Sequence, residues 1–145
     1  MSIYPQSVHE VIDSSARYRP ATLSAVRQFA RSKPWQGDLA ARRQKFQELN
    51  RALGEAYGVE PPLLILAGKQ EGDSGSSSYC PTTNTITMRG RLSVITFLHE
   101  WGHRLYGPSE YKACRWSLNL FRKVFKKSWS RLSFEGHVAR RVDSL

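Results

Sequence analysis

A chain of 145 residues, 40 % apolar and 11 % aromatic, is long enough for one domain with its own hydrophobic core, and its composition argues against disorder. Two cysteines, Cys80 and Cys114, are too few for a disulfide framework, and no apolar run reaches membrane-spanning length. The net charge of +10 is uneven: residues 91–145 hold 11 Lys and Arg against 4 Asp and Glu, a basic C-terminal third that could meet nucleic acid or an acidic protein.

In chain order, "MSIYPQSVHEVIDSS" lacks the basic stretch and apolar core of a signal peptide. With the two cysteines, this leads to the expectation of a soluble cytoplasmic protein with reduced thiols and no membrane partner. "SVHEVIDSSARY" places Val8, Val11 and Ile12 at helical spacing. "RPATLSAVRQFARSK" places Leu23, Val26, Phe29 and Ala30 on one helical face and stops at Pro34. "GDLAARRQKFQELNRALGEAYGV" is the clearest helix. Asp38 is its N-cap, Leu39, Phe46, Leu49, Leu53 and Tyr57 form its apolar stripe, and Gly58 is its stop.

The character changes after residue 58. "PPLLILAG" reads as a buried strand, "KQEGDSGSSSYCP" as a Gly- and Ser-rich loop, and Thr85, Ile86, Thr87 and Met88 as a short strand. A helix is expected from about Leu92 to Tyr106. Gly107-Pro108 breaks it, and Ser109 caps another that runs to about Lys127. The tail suits a short terminal helix. Helices, a small sheet and two more helices make an α+β layout in a single domain, 1–145, with residues 1–58 as its helical part.

The stretch "TFLHEWGHRLYGPSE" carries the chemistry. His99 and His103, four apart, project from one face of a helix one turn apart. Two imidazoles so placed can reach one zinc ion at about 2.1 Å. Glu100, rotated by about 100°, is badly placed as a co-ligand on that face but can reach a water bound to the metal and take its proton. The resulting hydroxide attacks a polarised carbonyl, which is peptide-bond hydrolysis. With 4 His and 8 Glu in the chain, composition alone would produce this spacing roughly 0.006 times. Each histidine by itself would suit an ordinary helix position; the three residues together favour a metal. Ile95, Leu98, Gly102 and Leu105 lie along the adjacent face and are expected to bury against the sheet. Glycine costs about 1 kcal/mol against alanine inside a helix, so Gly102 implies another backbone packed close by.

A catalytic zinc takes three protein ligands and keeps a position open. The later candidates are Glu110, Cys114, Glu135 and His137. Glu110, in the first turn of the helix that folds back, is preferred, although a first-turn glutamate also suits a helix-dipole role. Cys114 shares its face but suits a buried apolar position. Tyr79, Tyr106, Tyr111, Arg115 and His137 are candidates to stabilise an oxyanion or contact substrate.

"HEWGH" followed by a glutamate resembles the zincin metallopeptidases, and among them the gluzincins. "SEYKAC" resembles their glutamate helix, with Glu110 and Ala113 at the matching places. "NTITMRGRLSVITFLHEWGH" resembles the small zincin domains of the ImmA/IrrE and SprT-like groups, in which an edge strand before the metal helix pairs with extended substrate. The resemblance covers roughly residues 79–118. It implies a zincin-like fold, one zinc held by His99, His103 and Glu110, and Glu100 as general base. It also implies a protein or peptide substrate laid along Thr85, Ile86, Thr87 and Met88. The interval from His103 to Glu110 is short for gluzincins. It approaches the metzincin pattern, but Gly107 comes one residue late and Ser109 fills the ligand slot.

Two other functions compete. One is a zincin-like binding or regulatory module in which zinc serves structure or regulation and the run "RKVFKKSWSR", residues 122–131, docks on nucleic acid. The other is a helical protein that binds no metal.

Overall fold

The computed structural model describes residues 8–67, 77–135 and 138–141. A single 3-10 turn, Val8–Glu10, precedes α1 (Pro20–Arg31) and α2 (Leu39–Tyr57). Three strands follow: β1 (Leu63–Ala67), β2 (Ser78–Cys80) and β3 (Thr85–Arg89). Then come α3 (Val94–Tyr106), α4 (Glu110–Val124), the short α5 (Lys126–Ser130), and a hairpin of β4 (Leu132–Glu135) and β5 (Val138–Arg141). The layout is α+β.

Local signals account for most helix limits. Pro20 opens α1 with its fixed φ. The Asp38 side chain accepts a 2.8 Å bond from the Ala41 N–H, and Gly58 ends α2 in the left-handed region at φ 63°. Ser93 and Ser109 each accept a hydrogen bond from the N–H three residues on, at the starts of α3 and α4. Phe46, Leu49 and Leu53 of the α2 stripe are buried, whereas Leu39 is 57 % exposed because the first turn runs past the core.

The expected first helix around Val8 to Tyr18 does not form beyond its one 3-10 turn. The Asp13 carboxylate accepts from the N–H and hydroxyl of Ser15, local bonds that compete with a helix. Asn119 of α4 then takes over the backbone, accepting from the Asp13 N–H and donating to the Val11 carbonyl, each at 2.8 Å.

The sheet order is β1-β3-β2. β3 lies parallel to β1 with Leu64 opposite Ile86, and antiparallel to β2 with Tyr79 opposite Ile86. The strand at Thr85 to Met88 is therefore central, not the free edge expected from sequence. Its backbone is taken up by partners on both sides. The partner unseen in the sequence is β2, whose Gly- and Ser-rich approach reads as loop; the Ser77 hydroxyl joins it by accepting from the Arg89 N–H. β1, expected to be buried, is an edge strand. Leu64 points inward, while Leu63 and Ile65 are 63 % and 43 % exposed, because only one face of the sheet is covered by the core.

One apolar core joins Val26 and Phe29 of α1, Phe46 and Leu53 of α2, and Ile86 and Met88 of β3. Phe97 and Trp101 of α3 and Leu120 of α4 complete it, so the helical N-terminal part shares its interior with the rest. Asn50 pins this core with polar bonds. It accepts from the indole N–H of buried Trp101 and donates to the Pro62 carbonyl. Residue Gly102 packs on α4 rather than on the sheet. A Cβ added there would stand 2.7 Å from the Ala113 Cα. The close backbone implied by that glycine is thus α4. A second small cluster holds Val8, Val11, Cys114 and Leu118, with Ile95 against it.

α4 stops at Val124, three residues before the expected end. Phe125 leaves helical geometry to enter the core, where its ring stacks on Phe121 at 4.8 Å. The tail after α5 is a hairpin, with Leu132 opposite Arg141, in place of the expected terminal helix. Among the described residues no helix is long and apolar enough to cross a membrane.

Candidate metal centre

The helical spacing of His99 and His103 brings their rings to 4.9 Å between centroids, at 81°. Both side chains are largely but not wholly buried. Gly107, at φ 80° and ψ −151°, is in a conformation that glycine adopts readily, and there it ends α3 and turns the chain. Ser109 caps α4, so Glu110 is not the capping residue. Its carboxylate instead spans the two imidazoles: Oε2 lies 2.9 Å from His99 Nε2 and Oε1 lies 2.9 Å from His103 Nε2.

The protonation logic of this cluster tests its fit to a metal. His103 Nδ1 lies 2.8 Å from the Gly107 carbonyl oxygen. A carbonyl only accepts, so Nδ1 carries the proton and donates it. In the neutral ring Nε2 is then a bare lone pair facing an anionic carboxylate oxygen. Such a contact is unfavourable unless a positive charge lies within it, either a proton on the ring or a divalent cation between the groups. Two imidazole nitrogens and a carboxylate are a donor set suited to a borderline ion such as zinc. The donor atoms of His99, Glu100 and His103 lie within 4.8 Å of one another, as do those of His99, Glu110 and Cys114. His99, His103 and Glu110 fit a metal through the Nε2–carboxylate contacts, and Glu100 and Cys114 also lie within reach of the same donors.

Glu100 is buried beside this cluster. Burial, aided by the like charge of Glu110, raises its carboxyl from the usual range to about 8. That value belongs to the metal-free site; a bound cation would lower it and favour the carboxylate, the form that can act as a base. Cys114 is buried as expected from sequence, but its sulfur also lies 3.6 Å from His99 Nδ1. Burial, then the charges of Glu110 and Glu100, push this thiol up to about 12.

No protein-family model, curated protein or solved structure matches this chain. The site accordingly rests on its own geometry.

Among the described residues, the tyrosine and arginine candidates are dispersed. The Tyr79 hydroxyl bonds to Asn84 Oδ1 at 2.9 Å across the β2–β3 turn. Tyr106 is half exposed, and burial and Tyr57 raise its phenol against the pull of Arg19, which places it with those residues. Tyr111 donates to the Glu10 carbonyl, and Arg115 pairs with Asp13 at 2.9 Å. Glu135 ends β4, and His137 lies outside the described residues. Sequence reading missed the Gly107 carbonyl as the tether of His103. Its signal was the glycine four residues after the histidine, where a helix-ending carbonyl can turn back.

Proposed function

We propose that the chain is a zinc-dependent endopeptidase of zincin type, with zinc held by His99, His103 and Glu110 and with Glu100 as general base and acid. One observation carries this reading. The Glu110 carboxylate is set between the Nε2 atoms of the two helix-borne histidines, with Glu100 buried alongside.

When bound, the ion supplies a Lewis acid and a water whose pKa falls to about 7. The remaining work belongs to the chain. The Nδ1–H bond to Gly107 keeps the His103 ring turned with Nε2 toward the site. Glu110 offsets positive charge from the first turn of α4. Glu100, in a poorly solvated position, accepts a proton from the attacking water and returns it to the leaving amine nitrogen as the C–N bond breaks. β2, beside α3, takes over from β3 as the candidate edge for an extended peptide, because β3 is paired on both sides.

In the basic run 122–131, Phe125 is a core residue, as is Phe121 just before it, and Lys123, Lys126 and Lys127 are exposed. Packing accounts for its amphipathic pattern without a nucleic-acid ligand.

The test is zinc content together with hydrolysis of an unstructured protein substrate. Untagged protein purified without chelator is expected to carry about one zinc per chain. Glu100→Gln is expected to keep zinc and lose roughly 10²- to 10⁴-fold in rate. Cleavage by that variant at the parent's rate would refute the reading.

A further inference from the structure

The two histidines are held by unlike partners. His103 is tethered through Nδ1 to a backbone carbonyl, Gly107 O, at 2.8 Å, a strong acceptor. His99 Nδ1 faces a sulfur instead, Cys114 Sγ at 3.6 Å. We propose that Cys114 is the positioning residue of His99, its sulfur accepting the Nδ1–H so that Nε2 is presented to the metal. This rests on the metallopeptidase reading above.

Three observations carry it. His99 Nε2 points at Glu110 Oε2 from 2.9 Å, so the ring's other nitrogen is the one left to bear the proton. Gly102 and Ala113 pack backbone to backbone, and that contact sets the register that brings the next residue, Cys114, over His99. Val8, Val11 and Leu118 pack with buried Cys114 in one apolar cluster, where water is a poor competitor for the ring N–H. The 3-10 turn and the residues after it, held to α4 through Asn119, form one side of that cluster. The N-terminal segment is thereby coupled to the metal helix. A thiol is a weak acceptor beside a carbonyl, so this His99 contact is the softer of the two Nδ1 contacts described.

The experiment is zinc affinity by competition with a chromophoric chelator, on the parent, Cys114→Ala and Leu118→Ala. Loss of a partner that orients a metal-bound histidine weakens binding by roughly 10- to 100-fold, and that is expected for Cys114→Ala. Leu118→Ala perturbs the same cluster and should leave the affinity of the folded protein within about threefold of the parent. Equal losses in both variants, or none in Cys114→Ala, would overturn the proposal while leaving the peptidase reading intact. A parent that binds no zinc would sink both.

Two measurements on the parent need no variant to fold. Nitrogen NMR of the zinc-loaded protein is expected to show His99 with a protonated Nδ1 and a metal-bound Nε2; the reverse assignment would overturn the proposal. Cobalt-loaded protein should lack a thiolate-to-metal charge-transfer band. Its presence would make Cys114 a ligand rather than a positioning residue.

Discussion

Gly102 of α3 and Ala113 of α4 meet so closely that a methyl group on Gly102 would stand 2.7 Å from the Ala113 Cα and 3.0 Å from its carbonyl oxygen. The obstacle is backbone, which cannot swing aside as a side chain can. This contact is the hinge pin of the candidate site, since His99 and His103 lie on one helix and Glu110 and Cys114 on the other.

Gly102→Ala is therefore expected to destabilise the protein. The substitution gains about 1 kcal/mol in helix propensity, but overpacking against a neighbouring backbone costs about 1–3 kcal/mol and displaces α4. Urea unfolding should show a net loss, and chelator competition a lower zinc affinity because Glu110 moves with α4. A variant more stable than the parent would contradict the contact.

Removing the Glu110 charge separates its two candidate roles. Ser109 already caps α4, so Glu110→Gln should cost little helix stability, within about 1 kcal/mol. It leaves two neutral imidazoles without their anionic partner, and zinc affinity is expected to fall at least 10-fold. A variant that unfolds readily but binds zinc as the parent does would assign Glu110 to the helix instead.

Metal-free protein should lose stability as the pH rises, because of Glu100. Its carboxyl titrates near 8 in the folded chain, against an ordinary 4.5. The raised folded value means that the folded state holds its proton more tightly. This contribution is fully present below about 4.5 and is lost progressively as pH rises to about 8. The slope is at most about 1.4 kcal/mol per pH unit. Urea unfolding of metal-free parent and Glu100→Gln at pH 5, 6.5 and 8 checks it. The variant's stability should depend less on pH, and an unchanged slope would exclude Glu100 as the source.

Gly107→Ala strains φ 80°, ψ −151°, a region that alanine rarely adopts. The cost is expected at about 1–3 kcal/mol. The displaced carbonyl would free the His103 ring, so zinc affinity should drop as well. Calorimetric unfolding with and without zinc measures both effects, and a variant matching the parent in both would show that neither the turn nor the carbonyl matters.

Much of this protein was legible without coordinates, and the reason is range. The caps at Asp38 and Ser109, the stop at Gly58 and the break at Gly107 act over three or four residues. So does the alignment of His99 with His103, which helical periodicity alone dictates. Contacts between distant segments decided the rest. β2 formed within a Ser-rich stretch because β3 had an edge to fill, which made the Thr85–Arg89 strand central. The segment around Asp13 gave up its helix because Asn119, 106 residues away, bonds its backbone. Phe125 broke α4 to reach the core. Whether Glu110 capped a helix or faced two histidines depended on how α4 lies across α3. That was decided where Gly102 lets Ala113 approach, and the same approach put the Cys114 sulfur beside His99. Periodicity and caps are properties of a local stretch of chain, whereas a site built across two helices exists only once their packing brings its parts together.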